Sequence, residues 1–330
     1  MEIFTESQTI QGIELGRNVD IKTSSNNNPL TIKLKEDIDV FIWAKQYKDE
    51  LNKMLLDHGA LLLRGFKIDG AKNFNKLFSI ISGKGIEYKN RTSPRDRVYN
   101  NVYTSTSHPS DQTIHMHTEN SYSNLYNRII AFYSLVPALK GGETPIADER
   151  KLLACLKNET IKKFREKGIQ YVRNSMPGIG LSWQTIYQTN DKNEVAKILT
   201  SFGHEFEWVN EGHLRVKWTL PAIQRHPITN DEMWFNHMFF GLKCLYDPAI
   251  LEYFEEESLP FATYYGDGTE IEPEVIKEFI DFYKENSIVF KWEKDDFLLL
   301  DNMMFSHGRR PFEGERTTLT TMGQPQEMIT

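Results

Sequence analysis

A histidine and a glutamate two residues apart, His117 and Glu119 in the run IHMHTEN, are the first side chains here that could do chemistry together. In an extended strand, residues at i and i+2 project to one face, so an imidazole and a carboxylate can converge on a single ion. Alone the pair is weak evidence. With nine histidines and 46 acidic residues in the chain, a His-x-Glu arises easily by chance, and an ordinary surface strand accounts for it. His115 falls on the same side by the same alternation. It is assigned a supporting or neutral packing role, because His117 makes the tighter pair with Glu119. A third donor lies far downstream, where the apolar run in LLLDNMMFSHGRRPFEGER delivers His307. Read blandly, His307 is a satisfied histidine at a strand end. Read as a ligand, it completes two imidazoles and one carboxylate on one face of an octahedral iron. Three positions then stay open for a bidentate co-substrate and dioxygen, an arrangement zinc would not need.

Arg316 gives that reading its second half. Nine positions beyond His307, after a turn containing Pro311 and Gly314, a return strand would bring its guanidinium back beside the metal. 2-Oxoglutarate chelates iron through its keto-acid end and leaves its other carboxylate reaching into the pocket, where a guanidinium pairs with it as a fork. Thr144 in KGGETPIAD is placed to add a hydroxyl donor, although Gly-Gly-Glu-Thr by itself is only a hairpin signal.

These residues need elements to hold them. Apolar positions recur at helical spacing from Trp43 to His58, Gly59 stops the run, and ALLLRGF (60–66) reads as a buried strand. A helix is expected over 70–82, and others over 191–201 and 272–285. Extended runs are expected at IIAFYSLVP, ETPIAD, HLRVKW and EMWFN, and in the C-terminal 45 residues at SIVFKW, DFLLLDN and TTLTTM. Helical insertions fall around 149–201 and 272–285. Residues 84–114 carry no clear period, which marks them as a candidate lid. Many short strands far apart in sequence favour a barrel or jelly roll dressed with helices over a doubly wound sheet. No GxGxxG or GxxxxGK[ST] loop supports nucleotide binding.

Composition narrows the function classes. The 330 residues carry 39 basic and 46 acidic side chains, a formal charge of −7 without long single-sign blocks, so nucleic acid is not an expected partner. No apolar run approaches the roughly 20 residues that span a bilayer, and the N-terminus lacks a signal-peptide pattern. Cys155 and Cys244 sit in apolar or helical stretches (KLLACL, GLKCLY) and read as buried, reduced thiols of a cytoplasmic protein.

The motifs HTENSY, LVPALKGGETPIADER and FLLLDNMMFSHGRRPFEGER resemble, in order and over most of the chain, those of the TauD/TfdA (taurine dioxygenase) superfamily of Fe(II)/2-oxoglutarate-dependent oxygenases. The His-x-Glu form, the HGRxPFxGxR ending, VYTSTSHP and MWFNHM resemble the branch containing the syringomycin-biosynthesis hydroxylases and other amino-acid-modifying oxygenases. The resemblance implies a mainly β fold with helical insertions, a double-stranded β-helix (jelly roll, cupin-like), forming one domain over 1–330. It implies that His117, Glu119 and His307 match the iron ligands, Arg316 the 2-oxoglutarate arginine and Thr144 the co-substrate threonine. Fe(II), 2-oxoglutarate and O2 are the implied cofactor and co-substrates.

Two departures shape the expected reaction. Taurine dioxygenase has Asp in the carboxylate position and a second arginine for its sulfonate, whereas this chain has Glu119, and Thr320 and Thr321 downstream, which argues against a sulfonate substrate. Halogenating relatives replace the carboxylate with a small residue, and Glu119 occupies that place. The expectation is hydroxylation of an aliphatic carbon of an amino acid, free or carrier-bound, or of a related small metabolite in specialised metabolism. Desaturation or cyclisation follows from the same hydrogen removal. A zinc hydrolase would leave Arg316 and Thr144 unexplained, and a non-catalytic β-barrel would leave the ligand set unexplained. Asn120, Tyr122, Arg309 or Arg310, and polar groups of 91–108 are the candidate substrate contacts. Oligomeric state is left open.

Overall fold

The computed structural model describes residues 14–25, 29–87, 95–105 and 108–328. Its largest element is an eight-stranded sheet. In spatial order the strands are Val19–Lys22, Leu30–Leu34, Ala60–Arg64, Phe297–Asp301, Leu125–Val136, Thr317–Glu327, Val102–Thr104 and Arg97–Tyr99. Leu30–Leu34 and Ala60–Arg64 run parallel, and the other neighbours are antiparallel.

The unbroken apolar runs at the centre of this sheet have a direct cause: both faces are covered, so both alternating sets of side chains must be apolar. Leu61, Leu63, Ile129, Tyr133, Phe297 and Leu299 enter one core, while Leu62, Ile130, Phe132, Leu298 and Leu300 enter another. The first core is closed by the helices Val40–Gln46, Lys48–His58 and Ala71–Ser82, through residues such as Trp43, Leu55, Phe74 and Phe78. The second faces a four-stranded antiparallel sheet of Glu205–Trp208, Leu214–Leu220, Ile169–Ser175 and Phe261–Tyr265, and the helix Pro273–Asn286. Between the layers lies a three-stranded sheet, Ile114–His117, Phe305–Arg309 and Ile146–Asp148. Among the described residues no helix is long and apolar enough to cross a membrane.

Most expected elements form. The helix expected from Trp43 to His58 is two helices, because the backbone leaves helical geometry at Tyr47 (ψ 23°). The bend lets Trp43 and Ala44 on one half and Met54 and Leu55 on the other reach the same core. Gly59 ends the second half in the left-handed region (φ 75°), and its N–H donates to Leu55 O. SIVFKW alternates like a strand but is not one: Ile288 makes a single bridge to Ile146, and Phe290 and Trp292 serve as core side chains. The thiols are free as expected but not buried: Cys155 and Cys244 are both exposed. Cys155 is the last residue of the short helix Glu149–Cys155, whose buried side chains are Glu149 and Leu152. The candidate lid is partly regular, since Arg97–Tyr99 and Val102–Thr104 pair at the edge of the large sheet. Residues 88–94 and 106–107 of that segment lie outside the described residues.

The turn leaving Phe297–Asp301 is fixed by a buried ion pair. Asp301 accepts from Arg128 Nη1 and lies 3.0 Å from His226 Nε2, and its Oδ1 also receives the N–H of Met303. Asp301 is 0% and Arg128 5% exposed, so removing the acid strands a charge away from water. Asp301→Ala should therefore cost about 3–5 kcal/mol, read as a lower denaturant midpoint in equilibrium unfolding. A shift under 1 kcal/mol would show that the turn is held by other means.

Candidate active site

The antiparallel ladder between Ile114–His117 and Phe305–Arg309 places His307 directly opposite His117. Cross-strand partners hold their side chains in contact, and the two imidazole centroids lie 4.5 Å apart. Glu119 joins them from the turn that follows the first strand, where Asn120 takes a left-handed conformation (φ 59°). One ligand atom from each of His117, Glu119 and His307 lies within 4.8 Å of the others, a spacing one metal ion can bridge.

The donors are prepared for a cation. The carbonyl of His115 accepts from His117 Nδ1–H at 2.7 Å, which fixes the tautomer and leaves Nε2 for a ligand. Nδ1 of His307 is buried with no hydrogen-bond partner among the described residues. Burial pulls both imidazoles below their ordinary pKa, His307 the further, so both are neutral as metal ligation requires. Arg95 donates to Glu119 Oε2 at 2.6 Å, with both side chains almost wholly buried. These features fit a divalent metal ion.

Glu119 is held through its backbone. Asn302, in the turn before the His307 strand, accepts the Glu119 N–H at 2.8 Å and donates to Glu119 O at 2.9 Å, and also to Asn127 O. Behind His117, the His237 ring packs edge-on at 5.2 Å, with its Nδ1–H donated to Thr118 O. Phe132 covers His307 at 4.9 Å.

A cavity opens beside the three donors, lined by His117, His307, Phe132, Thr144, Arg95 and Arg316, among others. Arg316 donates through Nε to Gly142 O at 3.0 Å. Burial and the neighbouring Arg309 pull the guanidinium down to about 10 against the opposite pull of Glu143, which leaves it charged at neutral pH. Trp292 donates its indole N–H to Thr144 Oγ1 at 3.1 Å. With that lone pair taken, the threonine's own O–H is free to donate elsewhere. Gly142 carries φ +71°, and a Cβ there would meet Arg316 Cδ at 2.9 Å. The second glycine of the GGET run is thus the floor on which Arg316 lies.

A family model described as taurine catabolism dioxygenase TauD, TfdA family matches residues 26–322. The chain belongs to this family. As a TauD, TfdA dioxygenase it is an oxygenase that works with Fe(II), 2-oxoglutarate and O2. It is 38% identical over 279 residues to the dapdiamide synthesis protein DdaC of Enterobacter agglomerans, covering 83% of this chain and 85% of that protein. It is 28% identical over 289 residues to a clavaminate synthase-like protein of Arabidopsis thaliana, covering 84% and 85%. Among solved structures, PvcB from Pseudomonas aeruginosa superposes with a TM-score of 0.54 at 14% identity, over 93% of this chain and 91% of that one. A PvcB structure described as an Fe, alpha-ketoglutarate dependent oxygenase from an isonitrile synthetic pathway gives 0.53 at 15% identity, over 98% and 94%. Both structural likenesses are of fold.

The remaining candidates divide. The Tyr122 ring lies edge-on to His237 at 5.2 Å, and Asn120 is buried with an unpartnered Oδ1. Arg309 lines the cavity, but its guanidinium donates to the carbonyls of His108, Pro109 and Gln112, which ties it to the strand approach. Arg310 is exposed. His115 supports the site through its carbonyl, while its ring lies outside against Phe239 at 6.3 Å. Sequence reasoning gave no role to Asn302 or Trp292, and reached Arg95 only as one of the polar groups of 91–108 and His237 only inside the run MWFNHM. Asn302 left a signal of its own, a second polar residue after Asp301 at the end of an apolar run. Asn302→Ala should loosen the Glu119 turn and weaken Mn(II) or Fe(II) binding about 10- to 100-fold, measured by calorimetric titration. Unchanged affinity in a folded variant would show that the turn does not need the clamp.

Proposed function

We propose that this TauD, TfdA dioxygenase hydroxylates an aliphatic carbon of an amino acid or a related small metabolite, with His117, Glu119 and His307 as its iron ligands. The observation that carries the reading is the convergence of these three donors beside a cavity lined also by Arg316 and Thr144. The reading includes a double-stranded β-helix for the sheets, one domain across 1–330 and a cytoplasmic setting. The sheet-rich likeness to PvcB supports the first, and two free thiols are in keeping with the last. The 38% identity to a protein of dapdiamide synthesis supports a place in specialised metabolism.

When bound, ferrous iron couples decarboxylation of 2-oxoglutarate, giving succinate and carbon dioxide, to insertion of one oxygen atom into a C–H bond. The protein's part is positioning. His117 and His307 supply neutral nitrogen donors from paired strands, and Glu119 supplies the carboxylate that a halogenating site would lack. Arg95, paired to one oxygen of that carboxylate, sets its orientation. Arg316 and Thr144 take the distal carboxylate of 2-oxoglutarate, the guanidinium as a charged fork and the hydroxyl as a directed donor. Phe132 keeps water from the His307 side.

The test is succinate release with iron(II), screening free amino acids and carrier-bound aminoacyl groups, followed by mass analysis for one added oxygen. Wild-type protein that releases no succinate in any arm would sink the reading. His117→Ala and His307→Ala should each abolish iron binding and turnover. Arg316→Ala should raise the KM for 2-oxoglutarate about 10- to 100-fold, the worth of a charged hydrogen-bond pair, with iron retained. Gly142→Ala should move the same parameter in the same direction, because its Cβ displaces Arg316. A Gly142→Ala KM equal to wild type would show that the arginine reaches the co-substrate by another path.

A further inference from the structure

A second arginine, Arg173, lies buried on the other side of Tyr122 from the metal ligands. It is on the strand Ile169–Ser175 and is 6% exposed. Its guanidinium carbon sits 5.7 Å from the Tyr122 ring, 5.5 Å from Trp218 and 5.7 Å from Phe261, so three aromatic faces enclose it. Its Nε is buried with no hydrogen-bond partner among the described residues. None of the ion pairs among the described residues involves Arg173, in contrast to buried Arg95 and Arg128, which both hold carboxylates. Ring faces attract a cation but offer no lone pair in the plane of the guanidinium fork. A buried arginine left in this condition is costly for the fold alone and suits a site awaiting an anion.

The surroundings say where such an anion would sit. Arg173 lines two adjoining cavities, one bounded by Tyr122, Tyr187, His204 and Trp218, the other by Tyr122, Tyr171, Phe240 and Phe261. Tyr171, two residues earlier on the same strand face, accepts the N–H of His237 through its hydroxyl at 2.9 Å. His237 in turn touches both Tyr122 and His117, at 5.2 Å each. The cage is therefore joined to the metal ligands through two rings. It is separate from the cavity of Arg316, which shares none of its lining residues.

We propose that Arg173 and its aromatic cage form the recognition site for a free carboxylate on the organic substrate. This rests on the oxygenase reading for the substrate's fate and goes beyond it in choosing an untethered acid over an acyl group held as a carrier thioester. The planar guanidinium matches a carboxylate in two parallel hydrogen bonds, and the rings exclude the water that would compete for them. A carboxylate anchored there would lie two rings, Tyr122 and His237, from His117, so the carbon to be oxidised would be one remote from the carboxylate.

The experiment compares free L-amino acids with their α-carboxamides and with carrier-bound aminoacyl thioesters. Binding is followed by tryptophan fluorescence, to which Trp218 in the cage contributes, with Mn(II) and N-oxalylglycine in the metal site. Turnover is followed by succinate release. The expected result is that at least one acid binds ten or more times tighter than its amide. Arg173→Met should remove that preference while leaving the 2-oxoglutarate KM within twofold, and Arg173→Lys should restore part of it. Acids that bind no better than amides, turnover confined to carrier thioesters, or a variant that weakens acid and amide equally would each overturn the proposal. Should Arg173→Met fail to fold, the wild-type comparison of acid, amide and thioester decides alone. Selective acid binding without any succinate release would support the cage and sink the oxygenase reading, so the two failures are distinct.

Discussion

The carboxamide of Asn302 ties together the turns at the ends of two strands that already pair through His117 and His307. Its oxygen and nitrogen close a ring of hydrogen bonds with the N–H and carbonyl of Glu119, 183 residues away. One end of that clamp is the turn that launches the His307 strand, and the other is the turn that carries Glu119. The ladder between His117 and His307 sets the two imidazoles, and the clamp sets the third corner relative to them. Asp301, the neighbouring residue, anchors the same turn to Arg128 and His226 in the interior. Pre-positioning of this kind has to come from the fold, because ordering a carboxylate only when the metal arrives would be subtracted from binding.

Around this frame the charges are unevenly shared. Arg95, Arg309 and Arg316 border one cavity, while Arg173 occupies another. Arg95 pairs with Glu119 and Arg309 donates to backbone carbonyls, whereas Arg316 gives Gly142 its Nε and Arg173, among the described residues, packs against rings and joins no ion pair. Low local dielectric makes each uncommitted cation more attractive to an anion than the same group at the surface. Two uncommitted arginines in separate pockets suit a chemistry that brings two acidic organic molecules to one metal.

The sequence reading singled out His117, Glu119, His307, Arg316 and Thr144 from local pattern together with a family resemblance, and the fold gathers the first three within 4.8 Å and sets Arg316 and Thr144 in a cavity with the two histidines. His117 and Glu119 obey the two-residue alternation of an extended chain, and His307 follows a run too apolar to be anything but an interior strand. The helices over 70–82, 191–201 and 272–285 were legible for the same reason, as periodicity imposed by one buried face. What escaped was long-range. Asn302 and Arg95 matter through partners in other elements, and Trp292 through a single bond to Thr144 across 148 residues. SIVFKW carries the right alternation yet pairs only at Ile288, since a pattern states which side chains are buried and not whether a neighbour's backbone is available. Cys155 illustrates the same limit at a helix end, where apolar neighbours do not fix which way the last side chain points.

The division of the eight-stranded sheet between two interiors has its own consequence. Neighbouring residues such as Leu298 and Leu299 answer to different constituencies, one to the layer around the metal donors and the other to the helices of the opposite face. Evolution can therefore renovate the helical half by repacking alternate positions without retuning the chemistry across the wall. The backbone they share is common to both halves, so a change that shifts it is felt on both faces at once.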